Sequence, residues 1–210
     1  MSWGKDSIFL LFLVKKYYPD IPVIYVNSGY ALPDSYAIRD RLVKEWNLNY
    51  HEIQQKVDYI EMCKLIGLPH ERSKQDQKTA IKNIKKNVLD DFAVDHQFDL
   101  CFWGIRCDES KGRRHLFMTN NYFVKTTLLH KCHPIALISL SELWYLYEEF
   151  QIPMNEIYNK TRFLNKMQIR NTGWVSTDGA ASGKILWLKY YYPDYFNRLM
   201  CDFPEIRAYV

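Results

Sequence analysis

The stretch SWGKDSIFLLFLVKKYYPDIPVIYVNSG, residues 2–29, decides how this chain is to be read. It opens on Ser2-Trp3-Gly4-Lys5-Asp6-Ser7, a short loop with two serines and a lysine that runs straight into an apolar helical pattern. Backbone N–H groups converge at a helix N-terminus, and the helix dipole favours negative charge there, so such a loop is suited to an anion. Ser2 and Ser7 add hydroxyl donors, and Lys5 supplies a point charge suited to phosphate. The longer spacing of a Walker-type loop is absent, and the plain alternative is a helix cap. Ile8 to Val14 are apolar nearly all round, which predicts a buried helix over 6–17 closed by Pro19. Residues 21–26 read as a buried strand, and Asn27-Ser28-Gly29 as a polar turn at its end. Loop, helix, strand and turn are the parts of an open α/β nucleotide site, where ligands bind beyond the carboxyl ends of the strands.

Outward from this stretch, strands alternate with helices. We place helices at 6–17, 34–46, 57–67, 76–95, 141–150 and 184–200, strands at 21–26, 49–53 and 98–103, and a hairpin around 116–127. This alternation predicts an α/β fold, a three-layer sandwich on a mostly parallel sheet. At 210 residues the chain fits one domain (1–210), with a core over about 1–135 and a helical C-terminal appendage over about 136–210.

The composition is that of an ordinary globular protein, 48% hydrophobic and 25% charged, with a net charge of +4. No apolar run approaches the roughly 18 residues of a membrane span, and no basic stretch precedes the first apolar run, so we expect a cytoplasmic protein without membrane contact. Six basic residues fall between Arg72 and Lys86. Lys74, Lys78, Lys82 and Lys86 stack at i, i+4 spacing, as a solvated helix face or as a contact for a nucleic-acid backbone. The five cysteines, at 63, 101, 107, 132 and 201, are scattered without a C-x-x-C. That spacing predicts neither a disulfide framework nor a zinc site.

Four stretches, in order, resemble the phosphoadenosine phosphosulfate (PAPS) reductase family of the adenine nucleotide alpha hydrolase, or PP-loop ATP pyrophosphatase, superfamily. Ser2–Ser7 resembles its pyrophosphate loop. Ile24–Gly29 with Leu32-Pro33-Asp34-Ser35-Tyr36 is similar to its second motif, although Asn27 and Ser28 stand where the family has Asp and Thr. Gly104-Ile105-Arg106-Cys107-Asp108-Glu109-Ser110, with Arg113 and Arg114 behind, is similar to its arginine loop. His133-Pro134-Ile135, Leu143-Trp144 and Ile152–Tyr158 resemble the segment after the core. The resemblance implies an adenine-nucleotide site of Ser2, Trp3, Gly4, Lys5, Asp6, Ser7, Asn27, Ser28, Gly29, Gly104, Ile105, Arg106 and Arg113, with ATP or PAPS as ligand. Lys5 and Arg106 are its candidate catalytic residues. It also implies a strand before the loop, and since the loop begins at residue 2 we expect the natural product to start earlier.

Each of these residues has a plainer role open to it. Asp6 either caps its helix or associates with Mg²⁺ through the phosphates. Trp3 replaces the usual glycine, where a positive φ is costly; its amide can face a phosphate, and its ring can cover the ligand. Arg106 either presents its planar fork to phosphate or sulfate, or forms a surface ion pair with Asp108 or Glu109. Arg113 and Arg114 also read as an exposed basic turn.

In the reductases a cysteine in a C-terminal Glu-Cys-Gly-Leu-His motif attacks the sulfonucleotide. Cys201 is the candidate in the tail here, in a different setting. Iron–sulfur relatives carry Arg-x-Gly-Cys-x-x-Cys where this chain has Arg170 to Ser176, with Trp174 and Ser176 at the cysteine positions, so we expect no iron–sulfur cluster. Three functions stay open: ATP-dependent adenylation releasing AMP and pyrophosphate, with a sulfur donor or partner protein; thiol-dependent sulfonucleotide reduction; and a non-catalytic nucleotide-binding or docking module.

Overall fold

The computed structural model describes residues 1–55, 57–66, 88–171 and 183–210. Two compact units interleave along the chain. Unit 1 gathers Met1–Tyr25, Ala37–Glu52 and Asn87–Asn155; unit 2 gathers Val26–Tyr36, Ile53–Lys86 and Glu156–Val210.

The fold is α/β. Helix α1 (Lys5–Lys15) leads into strand β1 (Val23–Asn27), then α2 (Pro33–Glu45) and β2 (Tyr50–Gln54). Next come α3 (Tyr59–Ile66), α4 (Val88–Asp95), β3 (Leu100–Phe102) and α5 (Lys111–Asn120). The chain continues through β4 (Phe123–Val124), β5 (His130–Cys132), α6 (Leu140–Glu149), α7 (Lys184–Tyr191) and α8 (Pro193–Asp202). β1 pairs with β2. The N–H of Val23 donates to Asn49 O, and that of Gln55 to Asn27 O, so both strands run the same way. In a second sheet of order β3-β5-β4, β5 runs parallel to β3 and antiparallel to β4.

In unit 1, α1 buries Ile8, Phe9, Leu10, Leu11 and Val14, as a helix apolar nearly all round requires. Phe12 packs on Trp46 and Phe150. In unit 2, α7 and α8 bury Ile185, Trp187, Leu188, Phe196, Leu199 and Met200.

Two predicted elements are corrected. Where a hairpin was expected around 116–127, residues 111–120 are helical. Ser110 caps that helix, its Oγ accepting from the Arg113 N–H at 3.2 Å, and Asn121, at φ 54°, ends it. The antiparallel pair is formed instead by Phe123–Val124 with Lys131–Cys132. The single helix expected over 184–200 is two, because Pro193 has no N–H to continue α7 and starts α8 at its first position. Of the helix expected over 76–95, Val88–Asp95 is described. Lys74, Lys78, Lys82 and Lys86 lie outside the described residues, as do Trp174 and Ser176. Among the described residues no helix is long and apolar enough to cross a membrane.

Candidate functional site

Unit 1 brings the first loop and the arginine loop together. Gly4 is the N-cap of α1 and offers no side chain to its first-turn N–H groups. A helix start of this kind leaves donors for another acceptor. The loop is closed locally: Ser2 Oγ and Ser7 Oγ lie 3.1 Å apart, and Ser7 Oγ donates to Gly4 O at 3.0 Å. Two buried side chains fix it from outside. Tyr147 OH donates to Lys5 O at 2.6 Å, and Asn155 Nδ2 donates to Trp3 O at 3.0 Å.

Trp3 does adopt the left-handed backbone, at φ 56°. Its ring is fully buried, 6.0 Å from Tyr25 and 5.8 Å from Tyr50, and among the described residues its Nε1 has no hydrogen-bond partner. Aromatic packing therefore offsets the backbone strain that a glycine would avoid. The ring is a core side chain, so what Trp3 can offer a ligand is its backbone.

Arg106 reaches this loop across a hundred residues of sequence. It sits beyond the carboxyl end of β3, and its guanidinium is almost fully buried. Nε donates to Asp6 Oδ1 at 2.6 Å, and Nη1 donates to both carboxylate oxygens of Asp108 at 2.7 Å and to Ile138 O at 3.3 Å. Lys5 Nζ, also buried, donates to Asp6 Oδ2 at 2.9 Å. The ion pair with Asp108 that sequence offered as the plain alternative thus exists, between a buried guanidinium and a partly exposed carboxylate. Arg113 pairs with Glu109. Lys5, Arg106 and Arg113 face Asp6, Asp108 and Glu109, a balanced array of three cations and three anions.

Gly104 explains how the two loops come so close. A Cβ there would sit 3.0 Å from Asp6 O and 3.3 Å from Ser7 N, both backbone atoms that cannot swing aside. The arginine loop is braced by the segment after β5: Cys107 N–H donates to Ala136 O at 2.8 Å, and Leu140 N–H to Asp108 Oδ2 at 2.7 Å.

The Asn27-Ser28-Gly29 turn belongs to unit 2. Asn27 Oδ1 accepts from the Gly29 N–H at 2.9 Å and from Tyr36 OH at 3.1 Å, a local Asx-type turn that permits φ 74° at Gly29. Sequence reasoning passed over Tyr147 as a support for the lysine and gave Asp108 only a surface role. It quoted Asn155 and His133 within a resemblance without assigning either a task. Asn155 is fully buried although polar, and Trp3 O supplies the partner that such a residue needs.

With this geometry in view, comparison with known proteins places the chain. The family model "Phosphoadenosine phosphosulfate reductase domain" matches residues 1–201. The chain belongs to the PAPS reductase family. It is 25% identical over 163 residues to the phosphoadenosine 5'-phosphosulfate reductase of Xanthomonas oryzae pv. oryzae, covering 76% of this chain but only 64% of that relative. Two solved structures share the fold. One is the phosphoadenylyl-sulfate reductase of Candida auris in a phosphate complex (TM-score 0.56, 13% identity, 76% of this chain and 74% of that one). The other is the U34-tRNA thiolase of Methanococcus maripaludis with its 4Fe–4S cluster (TM-score 0.56, 15% identity, 100% of this chain and 68% of that one).

The thiolase corrects the expectation of no iron–sulfur cluster, because this fold does carry a cluster in that protein. Cluster ligands converge in space from separate segments, so scattered cysteines do not decide the matter. Asp6, of which a Mg²⁺ association through phosphates was expected, has both oxygens held by cations, Oδ1 by Arg106 and Oδ2 by Lys5.

Proposed function

We propose that the Ser2–Ser7 loop and Arg106 hold the phosphates of an adenine nucleotide, and that the chain adenylates an acceptor with ATP. In this reading an acceptor oxygen attacks the α-phosphorus. A new P–O bond forms, the bond to the bridging oxygen of pyrophosphate breaks, and a sulfur or nitrogen nucleophile later displaces AMP. The observation that carries the reading is the Lys5–Asp6–Arg106 array at the uncapped start of α1. Its two buried cations share one carboxylate, and both are charged donors that a phosphate can engage. Lys5 then neutralises the departing phosphates, and Arg106 the charge that grows on the α-phosphoryl oxygens.

A second reading, thiol-dependent reduction of a sulfonucleotide, is favoured by the curated relatives, which are PAPS reductases. There a thiolate attacks the sulfonate sulfur, a sulfur–sulfur bond forms and the sulfur–oxygen bond to the nucleotide breaks. A dithiol such as thioredoxin then releases sulfite. Cys201, exposed on the last turn of α8, is the thiol this chain offers in its tail.

Calorimetric titration with ATP and with PAPS tests the site, using wild type and Lys5→Ala. A charge-assisted phosphate contact contributes about 1.5–3 kcal/mol, so affinity falls tenfold or more in the variant. Equal affinity in both proteins would remove the site. Pyrophosphate release from MgATP, reduced in Lys5→Ala, supports adenylation. Sulfite release from PAPS with thioredoxin, lost in Cys201→Ser, makes the chain a reductase instead. Tight binding with neither product points to a docking module.

A further inference from the structure

The net charge of the chain is not spread evenly. From Lys160 to Arg198 seven residues are basic and two acidic, a net +5 against +4 for the whole chain, so the remainder is close to neutral. Among the described residues of that stretch the one acid is Asp194. The arginines differ accordingly. Arg39, Arg41, Arg106 and Arg113 each pair with a carboxylate. Arg162, Arg170 and Arg198 pair with no carboxylate among the described residues.

One of these cations is held against exposed rings. The guanidinium of Arg162 lies 4.4 Å from the ring centre of Tyr190 and 5.5 Å from that of Phe163. Its Nη1 donates to Tyr190 OH at 2.6 Å, and its backbone N–H donates to Tyr191 OH at 3.1 Å. Tyr190 is 51% exposed and meets Phe163 and Tyr191 edge to face, at 5.5 and 4.8 Å. Helix α7 turns Ile185, Trp187 and Leu188 to the core, so Leu186, Lys189 and Tyr190, at i, i+3 and i+4, share its exposed side. The ring and the guanidinium are thus ordered before any partner arrives, which lowers the entropy cost of binding one. A guanidinium without a carboxylate also keeps N–H donors for an anion from outside.

We propose that this face of unit 2 binds single-stranded nucleic acid, with a base extending the Tyr190–Arg162 stack and phosphates taken by Arg162 and Lys189. Every base has a π-face that aromatic rings and guanidinium planes accept, and the strand carries one negative charge per nucleotide. A duplex keeps its bases stacked inside and offers this face only phosphates. An acidic protein segment would match the charge and leave the exposed ring without a counterpart. All of these residues lie within unit 2, so the inference stands whether or not the Ser2–Ser7 loop holds phosphates.

Fluorescence anisotropy of a labelled oligouridylate of about twelve nucleotides, within the usual site size, tests this on the full chain. Tyr190→Leu keeps the charge and removes the ring, and affinity should fall about five- to hundred-fold, the range for one lost stacking contact. Tyr190→Phe, which keeps the ring, should retain most of the affinity. Arg162→Gln should weaken binding and lower the slope of log affinity against log salt by about 0.7, the value for one phosphate contact on a single strand. Lys44→Gln removes the same charge from an exposed position of unit 1 and should change neither affinity nor slope. Inorganic polyphosphate supplies charge without bases, so Arg162→Gln should weaken its binding and Tyr190→Leu should not. An oligouridylate that fails to bind wild type, or binds Tyr190→Leu and Arg162→Gln as tightly as wild type, would overturn the proposal; binding through Lys74–Lys86 instead gives the second result. Equal loss of polyphosphate and oligouridylate in Tyr190→Leu would also overturn it, by making the role of the ring structural.

Discussion

Two clusters in this protein share one design and differ in what they can do. In unit 1, Asp6 in the first turn of α1 takes Lys5 on one oxygen and Arg106 on the other. In unit 2, Asp34 in the first turn of α2 takes Lys160 on one oxygen, at 2.6 Å, and Tyr192 OH, at 2.5 Å, on the other. An acid in the first turn of a helix is favourable in both, through the helix dipole. The surroundings separate them. Asp6 meets two formal cations beside a loop of Ser2, Gly4 and Ser7. Asp34 meets one cation and a neutral phenol, with Pro33 before it and Tyr192 packed 5.2 Å from Trp187. Around Asp6 two buried cations share one carboxylate beside a small-residue loop; around Asp34 a single cation walled by aromatic rings makes a structural tie.

The most severe way to test this contrast is Arg106→Ala. It strands Asp6 and Asp108, whose side chains are 18% and 34% exposed, so the loss falls at the low end for a broken buried pair, about 3 kcal/mol. Urea unfolding measures it, and nucleotide affinity should disappear with it. Arg106→Lys recovers stability better than affinity, because an ammonium lacks the planar fork. Asp34→Ala, in contrast, should cost about 2 kcal/mol of stability and leave phosphate affinity alone. Equal loss of affinity in the two alanine variants would end the distinction between the clusters.

Gly104→Ala comes next. The added methyl pushes on the backbone of Asp6 and Ser7, and overpacking of this kind costs about 1–3 kcal/mol. Because it forces the arginine loop from the phosphate loop, ATP affinity measured by calorimetry should fall more than stability does. An unchanged affinity would show that the close approach is incidental to the site.

The pH limits of stability should separate the clusters further. Burial keeps His133 neutral, so the unfolded chain binds a proton near pH 6.5 that the folded imidazole resists. This contribution is present above pH 6.5 and is lost as pH falls below it. Burial pushes Tyr30 up to about 12, and burial together with the bond to Asp34 raises Tyr192. Their contribution is present below about pH 10 and is lost as pH rises through the folded values. Tyr50 of unit 1, raised by burial and by its bond to Glu52, adds to the same alkaline limb. Denaturant midpoints across pH should therefore lose acid sensitivity in His133→Phe and part of their alkaline sensitivity in Tyr192→Phe. The opposite assignment would break the picture.

The smallest effect expected is a gain. Asp108→Asn keeps an acceptor for Leu140 N–H and for Arg106 while removing one anion from the array. ATP affinity should rise a few-fold, most clearly at low salt, where charge is least screened. A weaker affinity would mean that Asp108 positions Arg106 rather than competing for it.

Much of this protein was legible in its sequence. The apolar run Ile8–Val14 determined a buried helix, and the β-rich run to Val26 determined the strand after it. The break at Pro193 was open to the same kind of reading, yet we placed one helix over 184–200, although proline has no N–H to continue α7. These are local properties, fixed by periodicity, propensity and the chemistry of single residues. The α5 region misled because Leu116–Val124 is as apolar and aromatic as a hairpin, while the Ser110 cap that starts the helix lies before it.

What tertiary structure alone decided are the meetings of distant residues. Arg106 meets Asp6 across a hundred positions, Gly104 clears the way for it, and Tyr147 and Asn155 anchor the loop from far along the chain. Burial was equally invisible: nothing in the sequence distinguished a surface arginine from one almost wholly enclosed, or a packed tryptophan from one lying over a ligand. A single sequence encodes which partners are available. Which of them are taken depends on the fold, because the strength of a charge pair is set by distance and by how much water the packing excludes.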